Sequence, residues 1–458
     1  MDELSDLLHR AAQHAADYRA TLPERPVAPS ADLETLRQAL GRPLKREPTP
    51  PVHVLRELVE ATDGGLMSTA GPRFFGFVIG GALPSATAAD VMAAGWDQCA
   101  FNAVLSPAAA VAEEVAGRWL KELLGLPSTA SVGFVTGAQE ANTVGLAAAR
   151  HHVFAEAGWD VERDGLRGAP EIRVVASAER HATVDRSLRL LGLGAASVVT
   201  VSAEANGAID VAKLERALGD GPQVATIVCL QAGNVNTGAC DDLHSACEIA
   251  HRHGAWAHVD GAFGLWAAAN PSTRHLVEGL ELADSWGCDG HKWLNLPYDS
   301  GFVFCSRSEV HAASVSYTAD YLVGSGEASA GMSDFTLESS RRARGFAAWA
   351  GLRELGRDGI ADLVERCCRL ARRFADLLAE SGAEVLNDVV LNQVLVGFGD
   401  DARTDRVIEA VQSDGTCWVG GTTWRGRRLI RISVSNWSTT EADVDRSVEA
   451  ILRVAAQV

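Results

Sequence analysis

The chain has 458 residues, 47% of them hydrophobic and 22% charged, with a formal net charge of −18. That length is too great for one simple core and suits a soluble enzyme of two or so domains. The acidic balance, with no basic stripe, argues against a nucleic-acid partner, and no run of about 18 apolar residues points to a membrane span.

The chain opens MDELSDLLHRAAQHAADY, amphipathic and acidic, without the basic start and apolar run of a secretory signal. Nine cysteines with no CxxC pair fit reduced thiols, so a cytoplasmic location is expected. Residues 1–75 read as a helical arm: LSDLLHRAAQHAADY and VHVLRELVEAT carry helical apolar spacing, with proline clusters at 23–26 and 48–51. Such an arm has too little core to stand alone and is expected to pack on a partner surface. GPRFFGFVIGGALP reads as an aromatic, glycine-rich loop whose Phe74, Phe75 and Phe77 either line a pocket or fill a core. Helical patterns cover 86–124, with Ser106-Pro107 opening one of them.

From about Val132 strand and helix patterns alternate. SVGFV, EIRVVAS, ASVVTVS, VATIVCLQA, WAHVD, LADSWGC and GFVFCS make seven strands. The prediction over 76–310 is an α/β domain: a mostly parallel seven-stranded sheet with helices on both faces. Ligands of such sheets bind beyond the C-terminal strand ends. Thr136-Gly137-Ala138-Gln139 follows the first strand. Its small residues let amides approach an anion, and the next helix points its positive end there. His181 follows EIRVVAS and either stacks on a ligand ring or caps the helix HATVDRSLRLLG. Asn234, beyond VATIVCLQA, either bonds a ligand or shapes a turn.

The most informative stretch is WAHVDGAFG, followed by ADSWGCDGHKW. Asp260 ends one buried strand, and Lys292 comes 32 residues later, just past another. Of the 41 basic residues only four are lysine: Lys45, Lys121, Lys213 and Lys292. A chain that meets ordinary needs for positive charge with arginine, yet keeps a lysine between His291 and Trp293, points to a need for a deprotonatable amine. An amine and a carboxylate so placed suit pyridoxal 5'-phosphate: the amine forms the Schiff base, and the acid keeps the pyridine nitrogen protonated. The alternative is a helix-capping Asp260 and a surface Lys292. No metal-ligand cluster stands out.

Residues 306–335, rich in Ser, Gly and Ala, read as a mobile loop, with a long helix starting near Ser340. The remainder of 311–458 reads as a smaller C-terminal α/β domain. It contains helix LVERCCRLARRFADLLAES, strand VLNQVLVGF, helix TDRVIEAVQSD, strand RLIRISV and a last helix capped by Thr440 with Asp443.

With these motifs assembled, the chain resembles the pyridoxal-phosphate-dependent group II amino-acid decarboxylases, the family of aromatic-amino-acid and glutamate decarboxylases, from about residue 50 to 458. The most specific match is HVDGAFG followed by DSWGCDGHKW. The resemblance implies a type I aminotransferase-like fold and a homodimer with its sites at the interface. It makes Lys292 the Schiff-base lysine, Asp260 the partner of the pyridine nitrogen, His181 the stacking ring and Ala262 the residue beneath the ring. Gly137, Ala138 and Gln139 match the phosphate loop, His291 precedes the lysine as in the family, and Phe77 and Phe101 match substrate-pocket positions. Three positions depart from the family pattern. Asn234 stands where many members have Thr. Asp289 stands where the aromatic-amino-acid members have Asn, near the phosphate. Counting back from Arg341-Arg342 without gaps puts Met332 where decarboxylases carry a loop tyrosine thought to protonate the substrate carbon; Tyr317 and Tyr321 lie upstream.

The leading expectation is α-decarboxylation of an L-amino acid with an apolar or aromatic side chain. The alternatives are decarboxylation coupled to oxidative deamination, giving an aldehyde, or transamination. A degenerate binding protein is the non-enzymatic rival, and intact His181, Asp260 and Lys292 weigh against it.

Overall fold

The computed structural model describes residues 3–220, 223–317 and 331–458. Three helices open the chain: α1 (Glu3–Thr21), α2 (Leu33–Leu40) and α3 (Pro51–Thr62). Helices α4 (Pro84–Trp96) and α5 (Pro107–Leu124) follow. Like α3, each begins with proline, where a backbone N–H would have no intrahelical partner. Next come β1 (Ser131–Val135), α6 (Ala138–Glu156), the short α7 (Val161–Asp164), β2 (Ile172–Ser177) and α8 (Ala182–Leu190). They lead to β3 (Val198–Val201), α9 (Val211–Gly219), β4 (Ala225–Gln231), α10 (Leu243–Arg252), β5 (Trp256–Asp260), β6 (Ser285–Asp289) and β7 (Gly301–Cys305). Asp160, Asp210 and Asp242 cap α7, α9 and α10, each accepting a backbone N–H in the first turn. The chain ends with α11 (Ser308–Val315), α12 (Gly345–Glu380, kinked at Gly356), β8 (Glu384–Val385), β9 (Gln393–Gly397), α13 (Asp401–Asp414), β10 (Gly420–Trp424), β11 (Arg427–Ser433) and α14 (Glu441–Ala455).

The chain divides into two compact units. The larger comprises residues 82–372 and 387–394, and the smaller 1–81, 373–386 and 395–458. The larger holds a seven-stranded sheet in the order β1-β7-β6-β5-β4-β2-β3. Strands β3, β2, β4, β5 and β6 run parallel, and β7 is antiparallel to both neighbours. The mostly parallel seven-stranded sheet expected from the sequence is therefore present. Every residue of β5, β6 and β7 is buried, which is why these strands read as near-continuous apolar runs.

Register sets the site. Asp289, ending β6, pairs with Gly301, opening β7, and Gly301 pairs with Val135, ending β1. Asp260, ending β5, pairs with Gly287 of β6. A Cβ on Gly301 would lie 2.4 Å from Gly137 Cα. Glycine at 301 therefore lets the turn after β1 close against the start of β7.

The smaller unit carries a four-stranded sheet, β10-β11-β9-β8. Here Phe74 and Phe75 are core residues: Phe74 stacks on Trp418 at 5.0 Å and Phe75 meets Phe374 edge-on at 4.8 Å. Thr440 and Asp443 form the capping box of α14.

Three expectations change. Strand β10 was not foreseen, because its sequence GGTTW has little β signal. It exists through pairing with β11 across a two-residue turn, Arg425-Gly426, both with positive φ. The long helix begins at Gly345, after the ion pair of Arg341 with Glu113. The span 306–335 contains α11 and a 3₁₀ turn at Met332–Phe335, while 318–330 lie outside the described residues. Helix α11 lacks an amphipathic pattern; fully buried His311, 2.9 Å from Ser131 Oγ, ties it to β1.

Gly301→Ala should destabilise the protein by about 1–3 kcal/mol, the usual cost of overpacking a tight site. A denaturant titration with an unchanged midpoint would show that the turn after β1 moves aside freely.

Candidate active site

Asp260 is buried at the end of β5. Its Oδ1 accepts the Ala262 N–H (3.2 Å) and its Oδ2 the Thr183 hydroxyl (3.5 Å). The Ala262 carbonyl accepts the Asp289 N–H at 2.9 Å, which fastens the turn after β5 to the end of β6. Lys292 lies three residues past β6, with Nζ 2.8 Å from Asp289 Oδ2. Asp289 is only 2% exposed. Its Oδ1 accepts the Ala138 N–H at 2.5 Å and lies 3.3 Å from His291 Nε2. That N–H belongs to the first turn of α6, so a negative charge already sits at the positive end of a helix. An unpaired buried carboxylate costs several kcal/mol, and the amine, the amide and the imidazole together offset it here.

His291 Nδ1 accepts the Ser300 N–H at 3.2 Å, so the neutral ring carries its proton on Nε2, toward Asp289. Burial lowers its pKa, which favours that neutral form, and the ring stacks on Tyr298 at 4.4 Å. Gly137 closes the group: a Cβ there would come 2.9 Å from His291 Cε1 and 3.0 Å from Asp289 Oδ1. The structure thus brings Gly137, Ala138, Asp289, His291 and Lys292 together, with Asp260 and Ala262 one strand away.

His181 is the N-cap of α8; its Nδ1 accepts the Thr183 N–H (3.3 Å) and lies 2.8 Å from Thr183 Oγ1. The capping geometry expected as one alternative is present, and it ties the ring to Asp260 through Thr183. Asn234 is fully buried, and its side chain shapes a turn. Oδ1 accepts the N–H groups of Asn236 and Thr237, and Nδ2 donates to the Glu179 carbonyl. The amide nitrogen of Gln139 is directed at α8, 3.0 Å from Ser187 Oγ.

Phe77 lies in the smaller unit, 63% exposed and stacked on Trp418. The Phe101 carbonyl accepts the Ser333 N–H. Met332 packs, half-buried, against Ala100, Ala109 and Ala343 beside Phe346. Tyr317 accepts the Ser339 hydroxyl, and Tyr321 lies outside the described residues. Sequence reasoning passed over Thr183, Asn142 and His258. One signal was available: His258 and Asp260 are two apart in a buried strand, hence on one face, and a histidine buried there needs partners.

The residues fit pyridoxal phosphate. The helix end at Ala138 donates its amide to the Asp289 carboxylate, an amine stands beside it, and Asp260 offers a carboxylate at the next strand end.

A family model described as "Pyridoxal-dependent decarboxylase conserved domain" matches residues 36–398. Tryptophan decarboxylase 1 of Oryza sativa subsp. japonica is 26% identical over 490 residues, spanning 100% of this chain and 94% of the relative. A phenylacetaldehyde synthase of a Rosa hybrid cultivar is 24% identical over 384 residues, spanning 81% of this chain and 74% of the relative. The crystal structure of Oryza sativa TDC with PLP and tryptamine superposes with a TM-score of 0.92 at 25% identity, over 100% of this chain and 98% of that one.

Asp289 competes for the amide that seats an anion. Asp289→Asn should therefore tighten pyridoxal phosphate binding about tenfold, by removing like charge at close range. Fluorescence titration of the cofactor-free protein checks this; unchanged or weaker binding would show that the carboxylate does not oppose the phosphate.

Proposed function

The chain belongs to the pyridoxal-dependent decarboxylase family, and from that premise we propose that it removes the α-carboxylate of an L-amino acid with an apolar or aromatic side chain, using Lys292 as the amine that condenses with the cofactor's aldehyde. The class itself, a pyridoxal-phosphate-dependent carboxy-lyase of amino-acid metabolism, follows from membership. The observation that carries the finer reading is the placement of Lys292 Nζ at the mouth of an anion seat, one strand from Asp260.

Bound pyridoxal phosphate supplies an electron sink for the pair left when the carboxylate departs. Asp260 holds a proton at the ring nitrogen, its two oxygens oriented by Ala262 N–H and Thr183 Oγ1. Gly137 and Ala138 would hold the phosphate, and His181 and Ala262 would hold the ring. Asp289 and His291 hold the Lys292 amine at the cradle. Asn234 and Gln139 act at a remove, by fixing the turn after β4 and the α6–α8 contact. Phe77 and Phe101 remain the candidates for the substrate side, on the family pattern alone.

A cytoplasmic homodimer belongs to the same reading. The dimer is supported by the arm: α1, α2 and α3 bury no residue, and Leu4, Leu8, Leu33, Leu40 and Leu58 are all exposed. Among the described residues no helix is long and apolar enough to cross a membrane.

A second reading has its own support, in the relatives named phenylacetaldehyde synthase and in the ungapped count to Met332. In it, dioxygen takes the electrons, and amino acid, dioxygen and water give aldehyde, carbon dioxide, ammonia and hydrogen peroxide. The packing of Met332 among alanines gives that residue a structural role as well.

Borohydride treatment of cofactor-loaded protein should leave the label on Lys292; peptide mapping to Lys45, Lys121 or Lys213 would overturn the assignment. Asp260→Asn should retain cofactor yet lose turnover by orders of magnitude, because its charge acts where electrons accumulate. Near-normal turnover would show that ring protonation is not the source of the rate.

Product analysis separates the two outcomes. If Met332 stands where the acid should be, Met332→Tyr raises the amine-to-aldehyde ratio about tenfold. If Tyr321 is the acid, Tyr321→Phe abolishes amine and Met332→Tyr changes nothing.

A further inference from the structure

Beneath the site a line of polar side chains crosses the layer between α6 and the sheet. Trp256 Nε1 is 2.9 Å from Ser285 Oγ, and Ser285 Oγ is 2.8 Å from His258 Nδ1. His258 Nε2 is 3.1 Å from Asn142 Oδ1, and Asn142 Nδ2 is 3.3 Å from Thr183 Oγ1. Thr183 Oγ1 then faces His181 Nδ1 at 2.8 Å and Asp260 Oδ2 at 3.5 Å. Trp256, Asn142, His258 and Ser285 are all buried.

The ends of this line fix its direction. An indole N–H can only donate, and a carboxylate only accepts. Ser285 therefore receives from Trp256 and passes its own proton to His258 Nδ1, the nearer of two acceptors; the Gly145 carbonyl is at 3.5 Å. His258 then carries its proton on Nε2 and donates to Asn142 Oδ1. Asn142 donates to Thr183, whose one hydroxyl proton is shared between His181 Nδ1, the nearer acceptor, and Asp260 Oδ2 at the longer distance. Burial pushes the His258 pKa down to about 3, so the ring stays neutral as this order requires.

Two glycines make the room. A Cβ on Gly145 would lie 2.7 Å from His258 Cε1, and one on Gly287 would lie 2.6 Å from Asn142 Oδ1. Neither glycine has a positive φ, so space is what these positions supply. Filling the same layer with apolar side chains would be simpler, since every buried polar atom must find a partner.

We propose that Trp256, Ser285, His258 and Asn142 form a one-way hydrogen-bond chain that keeps the Thr183 hydroxyl a donor toward His181 and Asp260, making Thr183, Asn142 and His258 positioning residues for the two groups that flank the cofactor ring. This rests on the proposed roles of His181 and Asp260. The chain holds His181 Nδ1 as an acceptor, which leaves the neutral ring's proton on Nε2. It also supplies one of the two donors that orient the Asp260 carboxylate.

Two measurements on the full chain test this. Nitrogen NMR of the histidines, assigned with His258→Gln, should show His258 neutral with its proton on Nε2 at neutral pH, with or without cofactor. A proton on Nδ1, or a charged ring, overturns the direction of the chain. Thr183→Val should weaken pyridoxal phosphate binding about tenfold and change the pH dependence of the visible absorption of the lysine-bound cofactor. Thr183→Ser should restore both to within about twofold. A Thr183→Val protein that matches wild type, or a Thr183→Ser protein as impaired as Thr183→Val, overturns the positioning role. Wild type that takes no pyridoxal phosphate onto Lys292 sinks the proposed function instead, and the His258 proton still decides the chain.

Discussion

Asp289 sets the terms for everything around it. A carboxylate this deeply buried has to be satisfied from several directions, and its partners come from two pieces of chain. The Ala138 amide comes from the start of α6, and the His291 imidazole and Lys292 amine come from the segment just beyond β6. Meeting that one demand draws the helix end, the amine and the strand edge to a single point. The functional geometry is in this sense a by-product of charge neutralisation at the C-terminal edge of a parallel sheet, where backbone dipoles already favour an anion.

Much of the fold was legible because the larger unit is built in the plainest way. Fully buried strands such as WAHVD and GFVFC announce themselves as apolar runs, and three of the helices between the strands, α7, α9 and α10, start at aspartate caps. Asp260 stood out because it ends a mostly apolar strand, and Lys292 because lysine is so scarce in this chain. Less was legible where the deciding partner is far off in sequence. GGTTW becomes a strand only because Arg427–Ser433 lies beside it. Helix α11 depends on a histidine bonding a serine 180 positions earlier. The residue types of Asn234 and Gln139 were right for a ligand, but their amides turn to a neighbouring loop and to α8, and no local pattern encodes that choice. The Met332 count ran along sequence alone, whereas its packing partners lie at 100, 109 and 343.

Polar residues inside the α6–sheet layer show a second kind of information that a linear reading misses. Asn142 and His258 look like blemishes in helix and strand when taken singly. Their meaning lies in their order along a line, and in glycines on α6 and β6 that clear the path. Fold stability and site orientation then draw on the same atoms. A substitution in this layer will register both in unfolding experiments and in cofactor binding, and only the conservative replacements separate the two.

The β6–β7 connection has a further consequence. It starts at Asp289 and returns at Gly301, its exact pairing partner, after residues 290–300 that include His291 and Lys292. Because β7 lies between β6 and β1, this hairpin-like loop is also the bridge that brings the turn after β1 to the amine. Its length works as a ruler. An insertion or deletion here would slide β7 against two strands at once and carry Gly301 away from Gly137, whereas the polar connection around 165–170, which joins α7 to β2, carries no such double duty. Natural length variation among chains of this kind should accordingly gather in the latter connection and be nearly absent from the former.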